Sequence, residues 1–279
     1  MVWRPPWRLS SLDPGFLRRD RVSRISITII TFNEATNIRE CLESVAWADE
    51  IVVVDSESHD ETVTIAREYT DKVFVNPWSG FKAQKNVAVD KAAGPWIFNL
   101  DADERVTPEL AEEIRRVAAD PGALDGYEVA RKNYFLGRWM RHGGWWPDRV
   151  VRLFRKSSGR FGGIDPHAYV IIEGRTGSFT SPLIHHTYRT LRQYVHKQYG
   201  YAEVGAQEMM KRRPGRRITA ASMVAKGLTK FVEVYVLKRG VLDGLHGLLA
   251  AVSGSYFAFL RYALVWEAKR NAQRDASRR

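Results

Sequence analysis

Trp96-Ile97-Phe98-Asn99-Leu100-Asp101-Ala102-Asp103-Glu104 decides how this chain folds. Residues 96–100 read as a short strand buried on both faces, running straight into a carboxylate. Working outward, Glu50-Ile51-Val52-Val53-Val54-Asp55 has the same form, a continuous apolar run that ends on an acid. Ile25-Ser26-Ile27-Thr28-Ile29-Ile30 is a β-branched run and reads as the first strand. Between these runs the spacing predicts helices over 37–45, 62–69 and 81–93 and a strand over 72–75; Ile38, Leu42 and Val45 share one face of the first helix. Beyond the quoted segment, Thr107 is an N-cap with Pro108 at the first helical position, and Leu110, Ile114 and Val117 form the stripe that faces inward. This alternation over 25–119 predicts an α/β fold with a mostly parallel sheet flanked by helices.

From 126 to 180 the pattern changes to short strand-like pieces (126–129, 150–154, 168–172) among Gly- and Trp-rich loops such as Gly143-Gly144-Trp145-Trp146-Pro147. Helix returns after Leu191. The net charge of +11 is unevenly placed: residues 211–279 hold 15 Lys and Arg against Glu233, Asp243, Glu267 and Asp275, and the rest of the chain is neutral. That tail is also apolar over 218–224, 231–237 and 245–260. A neutral body with a basic, apolar tail predicts an amphipathic helical extension lying on an anionic membrane surface. Nucleic-acid binding is excluded, because it calls for a polar basic helix. The competing structural reading is a packed helical hairpin with a basic solvated face. Residues 1–24 carry six arginines and two tryptophans without a continuous apolar core, the pattern of a flexible or membrane-skimming arm rather than an export signal. The single cysteine, Cys41, excludes an internal disulfide.

Open α/β sheets bind ligands outside the carboxyl ends of their strands. Here those ends offer Thr31, Asn33 and Glu34, then Asp55, Ser56, Ser58 and Asp60, then Asp101, Asp103 and Glu104. Asp101 and Asp103 are two apart and point the same way in extended chain, as two hard oxygen ligands for Mg²⁺ or Mn²⁺. A lone D-x-D is usually a solvated turn; the joint placement at successive strand ends is what carries the reading. Thr31-Phe32-Asn33-Glu34-Ala35-Thr36 has no glycine and so is no dinucleotide fingerprint, and neither a G-x-x-x-x-G-K-[ST] loop nor a G-x-S-x-G elbow is present.

Ile29-Ile30-Thr31-Phe32-Asn33-Glu34, Val54-Asp55-Ser56-Glu57-Ser58-His59-Asp60 and Leu100-Asp101-Ala102-Asp103-Glu104 resemble family 2 inverting glycosyltransferases of the GT-A fold. Gln84-Lys85-Asn86, Trp146-Pro147-Asp148, Arg152-Leu153-Phe154, His186-Thr187-Tyr188 and residues 235–244 resemble its bacterial lipopolysaccharide-core β-glucosyltransferase branch. The resemblance implies that Thr31, Glu34 and Asp55 contact uridine, with Asn33, Ser56 and Ser58 beside them. It places Lys85 on the nucleotide, Asp101 on ribose or metal, and Asp103 on the metal. Asp148 falls where the family places its catalytic base, with Pro147 where the family's loop often has Glu. His167 is the rival base or a further metal ligand, and a structural histidine is an equal alternative; Ala168 follows it where the narrower branch has Glu. His185 and His186 read as structural or loop-latching, while Trp145 and Trp146 either stack on a sugar or pack beneath a loop.

The implied activity is transfer of a sugar, glucose at family level, from a UDP-sugar to a lipid-linked glycan of the lipopolysaccharide core. Its implied place is the cytoplasmic face of the bacterial inner membrane, held peripherally. A non-catalytic sugar-nucleotide-binding scaffold of the same fold is the alternative. The expected organisation is an arm at 1–24, a GT-A domain at 25–210 with a nucleotide half (25–119) and an acceptor half (120–210), and a membrane-association region at 211–279.

Overall fold

The computed structural model describes residues 24–163, 165 and 168–276, so the arm apart from Arg24, and His167, lie outside the described residues. The chain forms two compact units, Met1–Val129 with Val151–Ser181 and Ala130–Val150 with Pro182–Arg279. The units interleave in sequence, because strands β6 (Gly126–Phe135) and β8 (Asp148–Arg155) each carry chain from one unit into the other.

The first unit starts with β1 (Ile25–Thr31), α1 (Ile38–Ser44), β2 (Glu50–Asp55), α2 (Thr62–Arg67), β3 (Val73–Val75), α3 (Phe81–Lys91) and β4 (Trp96–Asp101). Strands β3, β2, β1 and β4 lie side by side in that order and all run parallel; β8 joins the far side of β4 antiparallel, pairing Phe98 with Leu153 and Trp96 with Arg155. Ile27, Ile29, Val52, Val54, Ile97, Phe98 and Leu100 are fully buried, as apolar strands covered on both faces must be. The two-residue β5 (Glu104–Arg105) leads into α4 (Pro108–Ala119), where Thr107 Oγ1 caps the backbone N–H of Leu110 at 3.2 Å and Leu110 and Ile114 are fully buried. The short antiparallel pair β9 (Gly159–Gly162) and β10 (Tyr169–Ile172) adds Phe161 and Val170 to a core cluster with Val52, Val54, Ala88 and Val89. Asn86 pins this pair to α3 by exchanging two 3.0 Å hydrogen bonds with the Phe161 backbone. Strand β11 (Thr176–Ser178) runs parallel to the start of β6.

The second unit pairs the end of β6 with β7 (Arg138–Trp139) and with β12 (Leu183–Tyr188). Helix α5 (Leu191–Arg212) begins at a reciprocal cap: Thr190 Oγ1 accepts from the Gln193 backbone, and the Gln193 side chain accepts from the Thr190 N–H. Helix α6 (Ala220–Phe231) passes into π-helical turns over Val232–Leu237, a 3₁₀ turn over Gly240–Asp243, and then α7 (Gly244–Ala276). A Cβ on Gly247 would fall 1.8 Å from the Gly240 carbonyl oxygen, so only glycine lets α7 fold back against that turn. Phe135, Met140, Tyr188, Tyr194 and Ala250 make the core of this unit. Among the described residues one helical stretch, Gly240–Asp275, is long and apolar enough to cross a membrane by length and composition.

Candidate functional site

Parallel pairing fixes which strand ends meet. The register sets Thr31 against Asp55 and Ile30 against Asp101, so the loops after β1, β2 and β4 leave the sheet at one edge. Thr31 Oγ1 donates to Asp55 Oδ2 at 2.8 Å, and Asp55 is fully buried. Ser58 closes the second loop on the same carboxylate, its N–H on Oδ1 at 2.8 Å and its hydroxyl on Oδ2 at 2.6 Å. The loops are then laced together: the Asn33 N–H donates to Ser58 Oγ at 2.8 Å, and the His59 N–H to Asn33 Oδ1 at 2.9 Å. Each loop contains a non-glycine residue in left-handed backbone, Asn33 (φ 53°) and Glu57 (φ 61°), a conformation that such lacing must hold in place. Glu34 opens the turn that leads into α1, its backbone N–H on Thr62 Oγ1 at 2.8 Å and its carboxylate taking the Asn37 amide at 2.7 Å. Ser56 is buried and accepts from Gln84 Nε2 at 2.9 Å, which joins the second loop to α3.

A charged network surrounds the third strand end. Asp101 accepts from Lys85 Nζ on Oδ1 at 2.7 Å and from Arg152 Nη2 on Oδ2 at 2.6 Å. Arg152 also bonds Glu104 and, at 3.0 Å, Asn99 Oδ1; the Asp101 N–H turns back onto Glu104 Oε2 at 3.0 Å. Arg152, Glu104, Asn99 and Lys85 are all buried, whereas the Asp101 side chain keeps 30% of its exposure. Burial pushes the Asp101 carboxyl up, but the charges of Arg152 and Lys85 overcome that and hold it well below the ordinary range. Arg105 clamps the loop from below, donating to the carbonyls of Ala102 and Glu104 and to the Asn37 carbonyl at the start of α1.

Both oxygens of Asp101 are therefore engaged by cations, while Asp103, half-buried one turn of the loop later, presents the second carboxylate of the pair. Among the described residues no group of three or more His, Cys, Asp or Glu comes together as a metal cage. One carboxylate at a strand end nevertheless fits Mg²⁺ or Mn²⁺, which take one or two protein carboxylates and fill their other positions with phosphate oxygens and water.

Asp148, the expected base, opens β8 in the second unit, directly after the cis Trp146–Pro147 peptide. Arg131 Nε and Nη2 (3.0 and 2.7 Å) and Asn133 Nδ2 (3.0 Å) all donate to its Oδ2; Oδ1 accepts from none of the described residues. Asn133 is itself set by buried His185, whose Nδ1 lies 2.6 Å from Asn133 Oδ1 and must carry the proton there. Trp145 packs on Phe135 with ring centres 5.5 Å apart, and Trp146 meets Trp139 edge-on at 5.6 Å.

Sequence reasoning assigned no role to Arg152, Asn99, Gln84, Arg131 or Asn133. The available signal was polarity inside apolar strand patterns: Asn99 interrupts the run of β4, and Arg152 and Asn133 fall at inward positions of β8 and β6.

A profile of the family described as Glycosyl transferase family 2 matches residues 26–200. The chain is similar to "Lipopolysaccharide core biosynthesis glycosyltransferase LpsC" of Rhizobium meliloti (strain 1021), 29% identical over 255 residues that cover 87% of this chain and 92% of that protein. Among solved structures it resembles S. aureus TarS 1–349 in complex with UDP-GlcNAc, with a TM-score of 0.46 at 16% identity over 89% of this chain and 92% of that one. It also resembles mannosyltransferase PcManGT from Pyrobaculum calidifontis in complex with GDP-Man and Mn²⁺, with a TM-score of 0.47 at 17% identity over 88% and 87%.

Proposed function

This chain belongs to glycosyl transferase family 2, with a GT-A-like fold, and from that premise we propose that it is an inverting enzyme that moves a sugar, glucose by expectation, from a UDP-sugar to a lipid-linked glycan of the lipopolysaccharide core. The observation that carries the donor half is the register that sets Thr31, Asp55 and Asp101 on neighbouring strand ends. The acceptor half draws support from the likeness to LpsC over most of both chains and from the basic, apolar tail, which would keep the enzyme at the cytoplasmic face of the membrane where such lipids lie.

In this reading Thr31, Asn33, Glu34, Asp55, Ser56 and Ser58 receive the uridine. Lys85 turns its ammonium toward the diphosphate, and Asp101, already matched by Lys85 and Arg152, offers its remaining lone pairs to the ribose. Asp103, with Asp101 as its neighbour, would hold Mg²⁺ or Mn²⁺, which when bound screens the charge gathering on the leaving diphosphate. Arg131 and Asn133 fix Asp148 through Oδ2, so that Oδ1 takes the proton from the acceptor hydroxyl as its oxygen attacks the anomeric carbon. A single displacement from the face opposite the diphosphate inverts that carbon.

The test is a panel of nucleotide sugars assayed for nucleoside diphosphate release with Mn²⁺, with Mg²⁺ and with a chelator. Metal-dependent release of UDP from one UDP-sugar is expected, and turnover of GDP- or CMP-sugars alone would overturn the donor assignment. Asp148→Asn should lower kcat by about 10²–10⁴-fold with UDP affinity unchanged; retained turnover would remove Asp148 from the mechanism.

A further inference from the structure

More than half of the exposed large apolar side chains among the described residues lie between Val224 and Trp266. On α7, Leu245, Leu248, Val252 and Tyr256 recur at intervals of three, four and four, one stripe of a helix, and their exposures of 66, 37, 51 and 54% leave that stripe uncovered. The other side of α7 is used inside the unit. Ala250, Ala251, Phe257, Tyr262 and Val265 are buried there, with Phe257 edge-on to Tyr194 of α5 at 6.5 Å.

Helix α6 extends the uncovered face. Lys269 Nζ reaches the carbonyls of Pro214 and Arg216, while Gly227 lies against Ser255, so α6 and α7 run antiparallel. Val224 and Leu228 stand three before and one after Gly227, and Val252 and Tyr256 stand at the same offsets from Ser255. In an antiparallel pair equal offsets from the contact turn to the same side. Val224 and Leu228, 51 and 62% exposed, therefore continue the face of the α7 stripe.

A hollow of about 410 Å³ in the same unit is lined by Arg138, Trp139, Arg141, His142, Leu242 and Asp243. Arg141 lies over the Trp139 ring at 4.4 Å. Asp243 is held in the wall, its oxygens taken by the backbone N–H groups of His142 and Arg141 and facing His142 Nδ1 at 3.2 Å. Leu242, three residues before the stripe begins, both lines the hollow and is exposed, so the cationic lining lies next in the chain to the apolar stripe, the layout of an amphipathic lipid.

We propose that the Val224–Leu228 and Leu245–Tyr256 face docks in plane on an anionic phospholipid bilayer, with the phosphate of a lipid headgroup received by Arg138 and Arg141 in the adjoining hollow. This deepens, and rests on, the lipid-linked-acceptor reading. Charge selects the occupant: residues 211–279 carry 15 basic against four acidic side chains, which complements anionic lipid and opposes a second copy of the same surface. The packing selects the orientation. A crossing α7 would draw α5, with Arg192, Lys197, Glu203, Glu208, Lys211 and Arg212, into hydrocarbon.

The experiment is co-sedimentation of the full chain with vesicles of phosphatidylcholine alone or mixed with phosphatidylglycerol. Binding is expected on the mixed vesicles and several-fold more weakly on the neutral ones. Leu245→Glu with Val252→Glu should weaken it by about tenfold or more per residue, and Arg138→Gln with Arg141→Gln by about fivefold per charge on anionic vesicles only. Unchanged binding by either pair overturns the proposal. Cys41 is the only cysteine and is buried, so a fluorophore on Leu245→Cys or Tyr256→Cys reports local depth through brominated-lipid quenching without relying on the glutamate variants. Equal depths are expected; a difference near the ~16 Å that separates these positions along a helix would mean a crossing and overturn it. Loss of a dimer in vesicle-free solution in the glutamate variant would assign the face to a second copy and overturn it too. Sugar-nucleotide cleavage without vesicle binding removes the docking and leaves the transferase reading; vesicle binding without cleavage does the reverse.

Discussion

Arg152 holds Asp101, Glu104 and Asn99 at once. Taking it away removes a buried cation from one buried and one half-buried carboxylate, a larger penalty than the net worth of the pairs. Arg152→Met is therefore expected to lower unfolding free energy by about 3–5 kcal/mol in urea denaturation, with Glu104→Gln added to it restoring part of the loss. Asp101 gives a pH signature. Its folded-state carboxyl sits below its unfolded value, so the native state binds that proton less readily than the unfolded chain. The stabilisation is complete above the ordinary aspartate range, about pH 4, and fades as pH falls below it. The difference in stability between wild type and Asp101→Asn should stay flat over about pH 5–8 and shrink below about pH 4, as followed by denaturant titrations at each pH. At this scale the acids were legible in sequence because each ends an apolar run. Their cationic partners were not: Arg152 is 51 residues from Asp101, and nothing local marks it as a neighbour.

Gly227 shows what the elements required. A Cβ there would come within 3.3 Å of the Ser255 carbonyl oxygen, and Ser255 Oγ donates to the Gly227 carbonyl at 2.8 Å. Gly227→Leu should push α6 from α7 and cost about 1–3 kcal/mol, read as a lowered thermal midpoint. The parallel strands and α4 were legible as elements because burial on both faces and an N-cap followed by proline are local patterns. Residues 231–237 read as one apolar stretch, yet Val232–Leu237 forms π-helical turns. Their wider winding is a response to packing around the bend into α7, and hydrophobic spacing does not encode it. The β9–β10 pair was only half visible, because Gly159-Arg160-Phe161-Gly162 is too short and glycine-rich to register as a strand.

At the scale of the molecule, charge is segregated rather than spread. A net +11 concentrated in the tail makes membrane association sensitive to ionic strength. Vesicle binding is expected to weaken several-fold between about 0.05 and 0.5 M salt, measured by co-sedimentation. Release of UDP by the same protein should change far less, since Lys85, Arg152 and their carboxylates are buried or half-buried and poorly screened. Equal salt dependence of both would argue that one surface serves donor and membrane alike.

The sequence by itself determined the alternation of strands and helices, the acids at the strand ends and the basic tail, because each is a property of residues close together in the chain. Tertiary structure alone decided that β4 lies beside β1, that Lys85 and Arg152 meet on Asp101, that Arg131 and Asn133 both donate to one oxygen of Asp148, and which side of α7 stays uncovered. Periodicity tells that a helix has an apolar face and a strand a buried one. Ion pairs, hydrogen bonds and burial depend on distances across the fold, and only strand order, register and helix packing set those distances.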